Sequence, residues 1–337
     1  MIIAKQHGVL LPQPVGMQKQ AGLSLVEVMV AMGIGLVLMT GFIQFFIANK
    51  QSHEVLGGLN GMQENGRYAV RVITDSLHAA DHWGGVAGGD VTGAPAVTGI
   101  GAICNAAWIL NTSVGIQGFD GADDTPLAGC TATGYQIDTD VFVVRHAGGT
   151  YFPGLIANGS DTDIWVNTNV GMGASLSAGN AVNVVNVNGL YHYPYNISVY
   201  YIRPCSVMAA AACAASDDGG NPIPTLVRLS LQENQLVAQT LVSGVEQMQI
   251  EYGVDTDADT NANFYASAGA ITTTAQWAQV VSARFSLVIR SDQRGKLIDT
   301  NNYTLAGGFV YTPAANAQRF ARKVFTRLVQ IRNRSRS

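Results

Sequence analysis

The chain has 337 residues, of which 47% are hydrophobic and 12% charged, with a formal net charge of -4. Globular chains average about 25% charged residues and about 7% glycine, whereas here the 38 glycines make up roughly 11%. The slight acidic excess argues against a general nucleic-acid binder, the apolar content against a disordered tail, and the glycine content against a helical bundle. None of the four cysteines forms a CxxC pair, which argues against a zinc ribbon or a thioredoxin-type centre.

The first predicted element is an apolar run from Leu23 to Ala48, 26 residues with Glu27 as its one ionisable side chain. As a helix rising ~1.5 Å per residue it would be about 39 Å long, enough to cross a hydrocarbon layer of ~30 Å. Lys5 and Lys19 precede it, and no acidic residue does. The positive-inside bias then keeps the N-terminus cytoplasmic and sends the rest of the chain across. A secretory signal has a shorter apolar core that ends at a small-residue cleavage site, and no such site follows here. An ordinary anchor leaves Glu27 unexplained, because a carboxylate in a membrane helix costs about 2.5–3.5 kcal/mol on insertion scales.

The stretch Gln20-Ala21-Gly22-Leu23-Ser24-Leu25-Val26-Glu27 resembles the class III signal of type IV prepilins. That signal is a short basic leader ending in Gly, a hydrophobic residue, and Glu at the fifth mature position. The resemblance implies cleavage between Gly22 and Leu23 and N-methylation of Leu23. It also implies pairing of Glu27 with the N-terminal ammonium of a neighbouring subunit, which sets register. The family usually has Phe where this chain has Leu23. Residues 1–22 are the expected leader; a start at Met17 would leave MQKQAG, the usual family length, with the first 16 residues upstream of the true start.

The helix is expected to continue. No proline occurs between Leu23 and Asp81, and one helix from Ser24 to Ala80 would be about 85 Å long at ~1.5 Å per residue. Residues 23–48 form its transmembrane and filament-core part, and 49–82 its amphipathic continuation. In that continuation Met62, Ala69, Val72, Ile73, Leu77 and Ala80 fall near helical spacing, and Gln63, Glu64, Arg67, Arg71 and Asp75 take the other face. Gly57, Gly58, Gly61 and Gly66 are weak points that leave room for a local bend or a melted turn.

Residues 83–337 read as a β-rich periplasmic or extracellular domain. Strands are expected at Asp140–Arg145, Asp163–Val166, Ala181–Val187, Ile197–Ile202, Val280–Ile289 and Lys323–Ile331. A hairpin is expected from Thr225–Leu231 and Leu236–Val242, joined by Gln232 to Gln235. Residues 84–135 and 205–224 read as loops, and there is no internal repeat.

Leu241 to Asp255 (LVSGVEQMQIEYGVD), Trp277 to Ser291 and Arg319 to Arg334 resemble the PilW branch of minor pilins, as does Gly66-Arg67-Tyr68-Ala69 in the helix. The likeness covers roughly 17–85 and 225–336. It implies an α+β, type IV pilin-like fold, with a long N-terminal helix packed on an antiparallel sheet domain. It also implies a non-catalytic subunit that primes pilus assembly near the filament tip. Its partners would be the prepilin peptidase and methylase, other minor pilins, the major pilin and the inner-membrane assembly platform. Before assembly the chain would sit in the inner membrane as a single-pass protein; afterwards it would lie in the pilus, the periplasm or at the cell surface. Two alternatives stand beside this: a GspJ-like type II secretion pseudopilin, and a tip adhesin or receptor subunit that uses the variable middle region.

An exported domain permits disulfides. The cysteines allow three pairings, and sequence proximity favours Cys104–Cys130 and Cys205–Cys213. Asp255, Asp257 and Asp259 alternate at a spacing that suits Ca²⁺, but Thr260 and Ala266 replace the Gly and Glu of an EF-hand loop, so a solvated acidic turn is expected and no cofactor. His78 and His82 stand four apart near Asp75 and Asp81 with no third ligand in view. Arg322, Lys323 and Arg327 are expected on the polar face of the last strand, with a frayed tail beyond it. Tyr191, Tyr193, Tyr195, Tyr200 and Tyr201 around His192 read as a packed sheet face. No nucleophile-elbow, zincin, Walker or dinucleotide motif occurs, so no enzyme activity is expected.

Overall fold

The computed structural model describes residues 22–97, 104–121, 130, 134–150, 152–153, 163–169, 173–179, 190–210, 212–295 and 298–334. The chain divides into two compact units, 1–54 and 55–337, each described here by itself. One helix, α1 (Leu25–Ala79), contributes to both.

In the first unit the described residues are the start of α1 and the three residues before it. Their apolar side chains lie open: Leu25 is 77% exposed and Phe42 is 76% exposed. No polar face alternates with an apolar one, so the segment has no side to turn inward.

Among the described residues the second unit holds the remainder of α1 and fifteen strands. In chain order these are β1 (Val91–Thr92), β2 (Ile116–Phe119), β3 (Val141–Ala147), β4 (Phe152–Pro153), β5 (Ile164–Asn169), β6 (Gly173–Ala178), β7 (Leu190–Arg203) and β8 (Thr225–Gln232). They continue with β9 (Gln235–Ser243), β10 (Val245–Val254), β11 (Phe264–Ala266), β12 (Val280–Arg290), β13 (Tyr303–Thr304), β14 (Val310–Tyr311) and β15 (Arg322–Gln330). A nine-stranded sheet is organised by the 14-residue β7, which pairs with β4 and β5 toward its start and with β3 and β8 toward its end. A four-stranded antiparallel sheet has the order β11-β10-β12-β15. β13 and β14 form a separate small hairpin.

The amphipathic stripe builds the main core. Met62, Ala69, Ile73, Leu77 and Ala80 are buried against Ile250, Tyr252, Phe285 and Val329 of the four-stranded sheet, and Phe142, Tyr200 and Leu226 of the larger sheet close the same cluster. Each large apolar side chain buried this way contributes about 1.5–3 kcal/mol. A second core lies around Trp83, Ile109, Val143, Val199 and Leu229.

α1 runs unbroken through the glycines that left room for a bend. The reason at Gly66 is packing: a Cβ at that position would stand 2.2 Å from the Phe325 ring, so the missing side chain admits β15 against the helix. The β8–β9 hairpin closes through Glu233 and Asn234, with φ of 45° and 68°, so the connection is two residues and the strands are longer than the sequence indicates. β10 is an unpredicted strand inside the stretch that resembles the family. The region 84–135 likewise holds β1, β2 and a one-turn helix, Ala106–Ile109. The expected strand Ala181–Val187 lies outside the described residues.

Candidate functional site

The segment that carries the prepilin-like pattern begins at the α1 N-terminus. Ser24 caps the helix: its Oγ accepts the Glu27 N–H at 3.2 Å, and its carbonyl accepts the N–H groups of Glu27 and Val28 at 3.1 and 3.2 Å. Ser24 and Glu27 stand at the S-x-x-E spacing of a capping box, of which this is the serine half. That signal was readable in the sequence and gives Ser24 a role the pattern alone did not. Gly22 and Leu23 precede the helix as exposed, non-helical residues.

Glu27 is exposed among exposed apolar neighbours, Leu25, Val26 and Met29 at 77%, 67% and 66%. Among the described residues its carboxylate has no side-chain partner within the chain. Among the described residues α1 is the one helix long and apolar enough to cross a membrane, and its apolar window is unburied. The segment is thus long and apolar enough to cross a membrane, and it presents one carboxylate in otherwise apolar surroundings.

In the second unit Cys104–Cys130 and Cys205–Cys213 are disulfide-bonded, with Cα separations of 5.4 and 5.7 Å. The loop around the second bridge is further pinned by Asp218. Its carboxylate accepts the N–H groups of Ser206, Val207 and Ile223 at 2.8–2.9 Å and the Ser206 hydroxyl at 2.6 Å. Burial raises the Asp218 pKa, but those donors outweigh it and hold the group below the usual carboxylate range.

The oxygens of Asp255, Asp257 and Asp259 gather within 4.8 Å of one another. The Asp255 carboxylate accepts the N–H groups of Asp257, Ala258 and Thr260 at 3.1, 2.7 and 2.8 Å. Asp257 accepts from the Asn263 side chain, and Asp259 from the Asn261 N–H. These contacts fold a turn with Ala258 and Thr260 at positive φ.

His78 and His82 do not share a helix face. α1 ends at Ala79, Asp81 turns to φ 61°, and His82 packs edge-on to Tyr193. The tyrosine cluster divides between the two faces of β7: Tyr200 joins the core under α1, Tyr195 and Tyr201 join the other core, and His192 is buried between Tyr191 and Tyr193 in sequence.

Two arginines expected at the surface are interior. The Arg322 side chain is fully buried and bonds Glu246 through Nε at 2.5 Å and Asp299 through Nη1 at 3.2 Å. Arg290 approaches Glu246 at 3.8 Å, so one side of β10 buries a charged network. Arg334, expected in a frayed tail, docks onto Asp81 at 2.7 Å and donates to the Trp277 carbonyl, while Asn333 donates to Ala80 O at 2.8 Å. The chain end therefore closes over the last turn of α1, at least to Arg334.

Asp140 ties the two sheets together. Its N–H donates to Met248 O at 2.9 Å; its carboxylate accepts Ile250 N–H at 2.7 Å and Gly121 N–H at 3.1 Å. Burial pushes its pKa up to about 7, with Asp120 adding to the rise and the two N–H donors opposing it.

Residues 200–333 match the family model of type IV pilus-assembly protein W, and residues 17–43 match the model of the prokaryotic N-terminal methylation motif. No curated protein matches. Among solved structures a type IV-like pilin from Thermus thermophilus is similar, with 10% identity over 60% of this chain and 86% of that one and a TM-score of 0.28. The first model covers α1's sheet partners β10, β12 and β15; the second covers the capped helix start, Gly22, Leu23 and Glu27. Both ends of the chain are thus similar to type IV pilus-assembly families: the C-terminal part to the PilW model and the N-terminal part to the methylation motif.

Proposed function

We propose that the chain is a minor pilin that is cut between Gly22 and Leu23, methylated at Leu23, and built into a type IV pilus, where it primes assembly near the filament tip. The single observation that carries this reading is Glu27, alone in an exposed apolar helix start that matches the methylation motif. Cleavage creates a new α-ammonium four residues before that carboxylate. Within one chain the helix holds the two apart in sequence, but a neighbouring helix brings its own ammonium to the carboxylate. In apolar surroundings an unpaired carboxylate is disfavoured, and loss of one partner of a buried pair costs about 3–5 kcal/mol. A subunit out of register by one helical step leaves both charges bare, so the pair selects the correct stagger.

In this reading the N-terminus starts on the cytoplasmic side, residues 23–48 wait in the inner membrane, and the β-rich unit lies outside. The prepilin peptidase and methylase, the other pilins and the assembly platform are its partners. Its role is structural: the apolar helix joins the filament core and the β-rich unit faces neighbouring subunits.

The test is Glu27→Ala in the native host. The variant is expected to reach the membrane fraction at the normal level and to fall about tenfold or more in sheared filaments, the loss of one buried charge pair. Normal recovery in filaments would defeat the register role.

A further inference from the structure

The outer edge of the four-stranded sheet is nine residues long and has no strand beside it. β15 pairs with β12 over nine consecutive residues without a bulge, and among the described residues no strand pairs its other side. Two flanking hydrogen bonds set the phase: Ser291 N–H to Ala321 O at 2.9 Å, and Ile331 N–H to Val281 O at 2.8 Å. Hydrogen-bonded pairs alternate along an antiparallel ladder. Odd-numbered residues from 321 to 331 therefore turn their backbone groups toward β12, and Val324, Thr326, Leu328 and Gln330 turn theirs outward.

Edges of this kind are templates for another strand, and proteins blunt them with prolines, bulges, short length or charge. β15 has no proline and no bulge. What it carries is positive charge, Lys323 and Arg327, beside a Leu328 side chain that is 54% exposed. Along it runs a groove of about 500 Å³, lined by Val324 and Thr326 from the strand and by Arg67, Arg71, Thr74 and Asp75 from α1. Asp75 is engaged by Arg71 at 3.6 Å. Among the described residues Arg67 and Arg327 have no carboxylate within ion-pair distance, and the buried Thr74 hydroxyl has no hydrogen-bond partner. Such an edge repels a cationic strand and favours an acidic one.

We propose that β15 and this groove receive an extended acidic segment of another pilus subunit by strand addition. The inference rests on the reading of the chain as a filament subunit. The other described sheet edges of this chain do not supply such a segment: β9 (QLVAQTLVS) and β2 (IQGF) have no acidic residue, and β1 and β11 are two and three residues long. The incoming strand would hydrogen-bond the outward groups of Val324, Thr326 and Leu328, and its carboxylates would meet Arg67 and Arg327.

The experiment uses the full-length chain in its host, with a benzophenone amino acid at Gln330, irradiated and recovered from sheared filaments. The expected product is an adduct to an acidic segment of a different prepilin-type subunit. Leu328→Pro removes one outward N–H and leaves the ladder to β12 intact. Arg67→Glu with Arg327→Glu reverses the charge and touches no backbone bond. Each is expected to lower the adduct by about tenfold or more. An adduct to a second copy of this chain, an adduct retained in both variants, or no adduct from a chain present in filaments would each overturn the proposal. Absence of the chain from filaments would defeat the filament-subunit reading itself and this inference with it.

Discussion

The two halves of α1 share one helix and meet opposite fates. Phe42 and Phe46 in the first half are 76% and 69% exposed; Met62, Ile73 and Leu77 in the second are 3%, 0% and 2% exposed. The sequence difference is the polar face. From Leu23 to Ala48 apolar residues occupy every side, so no orientation satisfies water and core at once. From Met62 to Ala80 they occupy one stripe, with Gln63, Arg67, Arg71 and Asp75 on the other side, and the sheet covers that stripe. In the second half, burial stabilises this chain's own fold. In the first, the same physical effect remains available for lipid and for other helices. The match of residues 17–43 to the N-terminal methylation motif falls on that open surface.

The sharpest way to break this division is at the cleavage point. Gly22→Val is expected to leave the leader attached and remove the chain from filaments entirely, as judged by immunoblot of sheared pili, while the trypsin resistance of the β-rich unit stays unchanged. A loss of that resistance would mean that the two halves are not separable.

Next in size is the buried charge network beyond the helix. Arg322→Ala leaves Glu246 with only the more distant Arg290 and removes the ion pair of Asp299, and it is expected to destabilise the chain by about 3 kcal/mol in denaturant unfolding of detergent-solubilised protein. An effect below about 1 kcal/mol would return Arg322 to the surface class. Gly66→Val tests the covered half directly. The added side chain meets the Phe325 ring, and overpacking of this kind costs about 1–3 kcal/mol, more than the helix gains by losing a glycine. The same substitution at Gly41, which has open space around it, is expected to leave unfolding of the β-rich unit unaltered.

The smallest effect is a slope. The Asp140 pKa is raised in the folded chain, so the native state holds a proton that the unfolded chain releases. Its contribution is full below the ordinary carboxylate range and is lost as pH climbs toward about 7, by up to ~1.4 kcal/mol per pH unit. His82 and His146, lowered by burial, act in the opposite sense as pH falls. The informative quantity is therefore the difference between wild type and Asp140→Asn. Between pH 4 and 7 the variant is expected to lack the downward component, and identical slopes would contradict the assignment.

Much of α1 was legible because its signals are local. The apolar run, the stripe ending at Ala80 and the S-x-x-E start are all read within one or two turns. Strands such as β3, β12 and β15 were legible for the same reason. β10 carries a clear alternation of Met248, Ile250, Tyr252 and Val254 with polar residues, yet its polar side is buried too, through Glu246 with Arg322 and through Gln247 and Gln249 donating to Asp138 O. That outcome depends on partners roughly 75 to 110 positions away, which no local pattern encodes. Arg145 shows the same limit. It is fully buried, with its guanidinium donating to Val114 O and Trp108 O at 3.0 Å and lying over the Trp108 ring. The glycines of α1 read as weak points because propensity is local, whereas Gly66 is chosen by Phe325 on a distant strand. The Gly/Ala-rich loop at 205–224 was opaque because the order of its described residues comes from one disulfide and the carboxylates of Asp217 and Asp218, not from periodicity.

The most direct test of the central claim is the intact mass of the chain recovered from sheared filaments. The account predicts a polypeptide that begins at Leu23 and carries a methyl group on its α-amine. A filament-borne chain that still holds Gly22 and the residues before it would contradict the account, because no free amine would then exist to meet Glu27.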